Sequence, residues 1–187
     1  MTHPTLDRVS IHRDAVTYLL RFKPYGWAIV TVDDATGTLN VASDWGNYVH
    51  TWGRGSWLGV ESNDLSEFLR GRGGPHYIVD KLFYGRQRSS FDDRATMLAL
   101  RREVLADRRA RQLTAGTARS RWDALGELDG MVESEAMEVL ERLYRDSPWE
   151  HAVHSPTGQY TAMLEIVIPA FLSVIRNEVP TREAASG

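Results

Sequence analysis

VASDWGNYVHTWG, residues 41–53, is the stretch whose reading decides the fold. Leu39, Val41 and Ser43 fall on one side of an extended chain, and Thr38, Asn40 and Ala42 fall on the other. That period of two is the signature of a half-buried strand. Asp44-Trp45-Gly46-Asn47 interrupts it. Gly46 and Asn47 tolerate a positive φ, and an Asp side chain can bond the backbone two residues on, so the four residues favour a tight turn. Tyr48, His50 and Trp52 then alternate with Val49 and Thr51. A hairpin follows, with an aromatic stripe on one face and β-branched residues on the other. The stripe has two readings. It is packing for a core, as aromatic side chains mostly are. Alternatively Trp45, Tyr48 and Trp52, with Asp44 and Asn47 in the turn, stay partly exposed as a binding patch, because Tyr and Trp are favoured interface anchors.

The same alternation runs upstream. Residues 15–22 and 27–32 read as strands, and residues 8–12 as a short one. Pro24-Tyr25-Gly26 and Asp33-Asp34-Ala35-Thr36-Gly37 are turns, with a positive φ expected at Gly37. Such short connections predict an antiparallel meander. A small sheet is marginal in water, so one face needs a cover. Downstream, Asp64 and Glu67 have capping-box spacing before Leu65, Phe68 and Leu69. Gly71-Arg72-Gly73-Gly74 breaks that helix, and Pro75 suits the first position of another that carries Tyr77, Ile78, Lys81 and Leu82.

From Ser43 to Tyr48, then at Trp52-Gly53, Glu67-Phe68-Leu69, Tyr77 and Lys81-Leu82, the chain resembles a pattern found in small accessory proteins of tailed bacteriophages and prophages. The resemblance covers roughly residues 15–84 and stops before the second half. It implies a phage accessory protein and names no chemistry.

Residues 85–91 read as a polar linker, and a helical period begins at Asp92. Met97, Leu100 and Val104 form one stripe, joined by Leu98 and Leu105. Thr114 and Ser134 are read as caps of two further helices, and Ser147-Pro148-Trp149-Glu150 as the start of a short one. Residues 160–175 are apolar all round and are expected to be the buried central helix of the second half, kinked or split at Pro169. At that length, with Glu165 inside, the segment falls short of the about 20 apolar residues of a membrane span. The fold class is α+β: residues 1–85 an antiparallel meander sheet with short helices, residues 86–187 a helical subdomain packed on it.

Composition narrows the function classes. With 42% hydrophobic and 25% charged residues the chain matches ordinary soluble globular proteins, and a net charge of −3 gives no overall basic field. No cysteine is present, which excludes disulfides and thiolate metal sites and fits a reducing compartment. No basic-then-apolar leader opens the chain, so a cytoplasmic location, in a host cell for a phage protein, is expected.

Charge is concentrated in one place. Between residues 86 and 121 stand Arg86, Arg88, Arg94, Arg101, Arg102, Arg108, Arg109, Arg111, Arg119 and Arg121, against Asp92, Asp93, Glu103 and Asp107. Arg101, Arg102, Arg108, Arg109 and Arg111 form a candidate contact for phosphate or an acidic protein surface. The bland alternative is a solvated helix face paired with Glu127, Asp129, Glu133 and Glu135. The glycines before Pro75 lack the Gly-Lys-Ser/Thr ending of a phosphate loop. His151, His154 and Glu150 lack a third spaced partner for a metal. Asp44 with His50 is a weak acid–base pairing beside Ser43, with no nucleophile-elbow pattern around it. No cofactor is implied. The leading expectation is a non-enzymatic protein that binds a host protein or protein–nucleic-acid complex, an anti-defence inhibitor of CRISPR type being one form. The alternatives are a nucleic-acid binder using the arginines, and an enzyme at the Asp44–His50 turn.

Overall fold

The computed structural model describes residues 5–12, 15–24, 26–52, 65–145 and 147–178. Two compact units emerge: Met1–Arg86 together with Gly158–Gly187, and Gln87–Thr157. The fold class is α+β.

In the first unit, β1 (Thr5–His12), β2 (Val16–Lys23), β3 (Trp27–Asp33), β4 (Thr38–Ser43) and β5 (Gly46–Thr51) pair in chain order, each antiparallel to the last. Asp33 Oδ1 accepts from the N–H groups of Ala35 and Thr36, and Gly37 takes φ +67°, which closes the β3–β4 turn. The alternation is strict on the buried face: Tyr18, Leu20, Phe22, then Ala28, Val30, Val32, then Leu39, Val41, then Tyr48. The cover is α1 (Leu65–Gly71), α2 (Pro75–Leu82) and the C-terminal helix Gly158–Asn177. Pro75 opens α2 as its residue type demands. Asp64, the expected cap of α1, lies outside the described residues.

The C-terminal helix corrects two expectations. It is not the centre of the second half. Met163, Val167, Ile168, Phe171, Leu172 and Ile175 are buried in the core shared with the sheet. Apolar periodicity shows that a helix is buried but not what buries it, and here the partner lies more than a hundred residues away in sequence. Polar ties fix the docking. The Tyr18 hydroxyl donates to Glu178 at 2.8 Å, Arg70 Nε to the Ile175 carbonyl at 3.2 Å, and Arg176 to the Gly73 carbonyl at 2.7 Å. Nor does Pro169 split the helix. A π segment, Met163–Val167, precedes it. Proline has no N–H to give and crowds the carbonyl one turn back, and a widened turn relieves that crowding while the helix runs on. By length and composition this helix could cross a membrane.

The second unit runs β6 (Ser89–Phe91), α3 (Asp93–Arg109), α4 (Ala115–Ala124), α5 (Glu133–Leu143) and β7 (His154–Pro156). Its core is Leu100, Val104, Ala118, Leu125, Leu128, Ala136, Val139 and Leu140. Asp92 caps α3 by accepting from Ala95 N–H at 2.8 Å, and Thr114 caps α4 by accepting from Thr117 N–H at 3.2 Å. Three details differ from the sequence reading. The expected linker holds β6, which pairs with β7 from Ser89↔Pro156 to Phe91↔His154. The cap position of α5 is Val132 rather than Ser134, with Glu135 accepting from the Val132 N–H. Ser147 stands at φ +60° with no side-chain cap bond, before a single 3₁₀ turn, Pro148–His151. The grouping of residues 158–187 with the sheet also differs from a helical subdomain spanning 86–187.

Candidate functional site

The aromatic hairpin is built as core. Tyr48 is 3% exposed, its ring stacked on Phe83 at 4.5 Å and its hydroxyl donating to the Trp45 carbonyl at 2.7 Å. Burial pushes its hydroxyl pKa up, although the Arg86 guanidinium 5.0 Å over the ring pulls the other way. Trp45 is half-buried edge-on to Phe22, and Trp52 is half-buried with its indole N–H donating to the Tyr77 hydroxyl at 3.2 Å. Asp44 and Asn47 are exposed, and the Asn47 carbonyl accepts from Arg86 at 2.9 Å. Tyr48 therefore cannot serve as an exposed anchor. The face of the sheet turned away from the core instead shows Trp27, Ile29 and Val49.

The turn chemistry also differs from the expected self-bonding of Asp44. Ser43 does that work: its hydroxyl accepts from Trp45 N–H at 3.2 Å and donates to the Gly46 carbonyl at 2.9 Å. Asp44 reaches across to β3, where Oδ2 accepts from Trp27 N–H at 3.0 Å. Gly46 has φ +123°, and a Cβ there would meet the Tyr48 hydroxyl at 2.7 Å, so only glycine fits.

The arginines of α3 divide into two sets. Arg101 folds inward, its guanidinium 4.8 Å over the Trp122 ring, and its Nε is buried without a hydrogen-bond partner. Arg102, Arg108, Arg109 and Arg111 are exposed, and among the described residues none of the four makes an ion pair. Three of the four acids expected to neutralise them are engaged elsewhere: Glu127 with Arg142 at 2.5 Å, Glu133 with His154 at 3.0 Å, Glu135 with the Val132 N–H. Leu98 and Leu105, read as joining the core stripe, are 43% and 42% exposed. Seven residues apart, they line up on one side of the helix, between the row of Arg101 and Arg108 and the row of Arg102 and Arg109.

Sequence reasoning missed what Leu105 does. With Val104, Ala118 and Trp122 it lines a groove of about 310 Å³ between α3 and α4, and Arg108 and Arg119 stand in its wall. The signal was present as two leucines off the core stripe, each bracketed by arginines one turn away.

Comparison with protein families gives a match to the phage family Phage_phiTE_072 over residues 4–177. The chain belongs to this phage family. The match extends through the helical second half, beyond the stretch that carries the sequence resemblance. Comparison with curated proteins and with solved structures gave no match.

In this phage protein the Asp44–His50 pairing is not assembled. Asp44 is held on Trp27, and His50 lies edge-on to Trp52 at 4.5 Å, roughly 13 Å further along β5 at the rise of an extended strand. Burial, aided by Lys81, lowers the His50 pKa. His151 packs on Tyr144 at 4.0 Å with Glu103 3.9 Å away, while His154 bonds Glu133, so the two histidines face different helices. Among the described residues no group of three or more His, Asp or Glu side chains could hold a metal.

Proposed function

We propose that this phage protein acts by binding a host macromolecule through the outer face of α3, with an anti-defence inhibitor as the most concrete form. The observation that carries the reading is the set of four exposed arginines, Arg102, Arg108, Arg109 and Arg111, without ion pairs among the described residues. Unpaired guanidiniums are poised for bidentate bonds to carboxylate or phosphate, and Arg is enriched at interface hot spots. Arg102 and Arg109 lie seven residues apart, about 10 Å along the helix, so one anionic surface can meet both. The exposed Leu98 between the rows favours a protein partner, because an apolar contact flanked by charges is how protein interfaces are built.

The test is a pull-down from host lysate with the wild-type protein and with the double variant Arg102→Glu, Arg109→Glu. A partner held in stoichiometric amount by the wild type and lost with the variant is the expected result. Retention of the same partner by the variant sinks the reading. The four arginines also favour a second reading, contact with nucleic acid. Four phosphate contacts predict a binding constant that falls with a log–log salt slope of about −3 to −4. No mobility shift of DNA or RNA at low salt disposes of it.

A further inference from the structure

We propose that the second unit carries both halves of a self-association surface, the α3–α4 groove of one copy receiving Trp149 and Glu150 of a second copy. The groove sets the requirement. Its floor is apolar, made by Val104, Leu105, Ala118 and Trp122, and its wall carries Arg119, already paired with Asp123 at 3.0 Å, and Arg108, which makes no ion pair among the described residues. An occupant must bring an apolar body of side-chain size and a negative charge beside it.

The chain itself displays that combination. Trp149 is 65% exposed on the 3₁₀ turn Pro148–His151, and the exposed Glu150 follows it. The display is rigid. Pro148 is buried, Glu150 N–H donates to the Ser147 carbonyl at 3.0 Å, and the His151 ring packs on Tyr144. An anchor already held in place loses little entropy on docking. An indole fits within a groove of this size, and guanidiniums in the wall attract its ring face. The pairing already occurs within the unit, where Arg101 lies over Trp122.

Charge complementarity points to a second copy. Residues 87–121 hold nine arginines against four acidic residues, whereas residues 122–157 hold nine acidic residues against two arginines. The segregation is self-complementary: the basic half of one copy attracts the acidic half of another. A two-fold axis satisfies both halves at once, each copy offering its groove and its Trp149 to the other.

Sedimentation velocity on the full chain tests this. The wild-type mass should rise from 21.2 kDa toward twice that value as concentration climbs into the millimolar range, and the rise should weaken with added salt. Trp149→Ala and Leu105→Glu change exposed side chains and should each hold the protein at monomer mass with an unchanged circular dichroism spectrum. Mixing the two variants should give a dimer weaker than the wild type's, since one of its two contacts re-forms, the groove of the first with the tryptophan of the second. Arg108→Glu and Glu150→Arg should each weaken the dimer more than tenfold, and their combination should recover it. A wild type that stays monomeric overturns the proposal, as does a dimer indifferent to Trp149→Ala and Leu105→Glu. A mass that climbs past two copies overturns the two-fold arrangement. The Arg102→Glu, Arg109→Glu variant leaves the groove lining intact and should still dimerise, more weakly and with less salt dependence, whereas Trp149→Ala should abolish the dimer and leave host binding unchanged, which separates this proposal from host binding.

Discussion

Gly46 shows how a single position holds the hairpin. Alanine there meets a φ of +123° and the Tyr48 hydroxyl together, so Gly46→Ala is expected to cost about 1–3 kcal/mol by urea denaturation. Tyr48→Phe removes only the bond to the Trp45 carbonyl and should cost about 1 kcal/mol. A larger loss from the hydroxyl than from the glycine would show that the network, not the backbone, carries the turn. Much of this was legible: Ser43, Asp44 and Gly46 announce a turn by residue type. Which hydroxyl or carboxylate bonds which N–H was not legible, because Asp44 bonds a strand seventeen residues away and local rules see only its neighbours. In the second unit, burial and the nearby Glu103 raise the Tyr144 hydroxyl to about 12, Arg121 opposing. Its unfolded value is 10.0, so the folded state holds the proton more tightly. Tyr144 then stabilises the fold fully below pH 10, and that contribution disappears as pH rises toward 12. Tyr144→Phe should flatten the alkaline loss of stability over that window. Tyr18, also raised, leaves a remainder.

At the scale of elements, the strands were readable because each has one buried and one open face, so period-2 alternation is printed in the sequence. Helices α3 and α4 were readable through Asp92 and Thr114, whose short oxygens cap them. β6 and β7 were not: three residues are too few for a period, and each pairs with the other across more than sixty residues. The C-terminal helix reads as buried, but its sequence is compatible with any apolar surface, so the core it enters is not legible. Phe171 tests the observed assignment. It is fully buried, edge-on to Tyr18 of β2 at 5.2 Å. Phe171→Ala should cost about 3–5 kcal/mol, and the loss should appear as faster hydrogen exchange in β2–β4. Slow exchange persisting in those strands would contradict the shared core.

For the whole molecule, the chain order carries a consequence. Gln87–Thr157 interrupts a unit that resumes at Gly158. The interruption begins and ends on the β6–β7 ribbon, where the Thr157 N–H donates to the Arg88 carbonyl at 2.9 Å and paired Cα atoms stand about 5 Å apart. Its two ends therefore lie side by side, the arrangement that makes domain insertion tolerable. The inserted unit has its own core of eight buried residues, none of them shared with the sheet. Residues 87–157 expressed alone should give a helical spectrum and one cooperative thermal transition. Residues 1–86 joined to 158–187 by a short Gly-Ser linker should keep the sheet, because the C-terminal helix that covers it is retained. A chain ending at residue 157 loses that cover, and with it Met163, Val167, Phe171 and Ile175, so its sheet should fail to fold cooperatively and only the transition of residues 87–157 should remain. If the truncated chain shows, besides the transition of residues 87–157, a second one as sharp as that of the linked chain, the C-terminal helix does not complete the sheet's core, and the division of the chain into an interrupted unit and an insert is wrong.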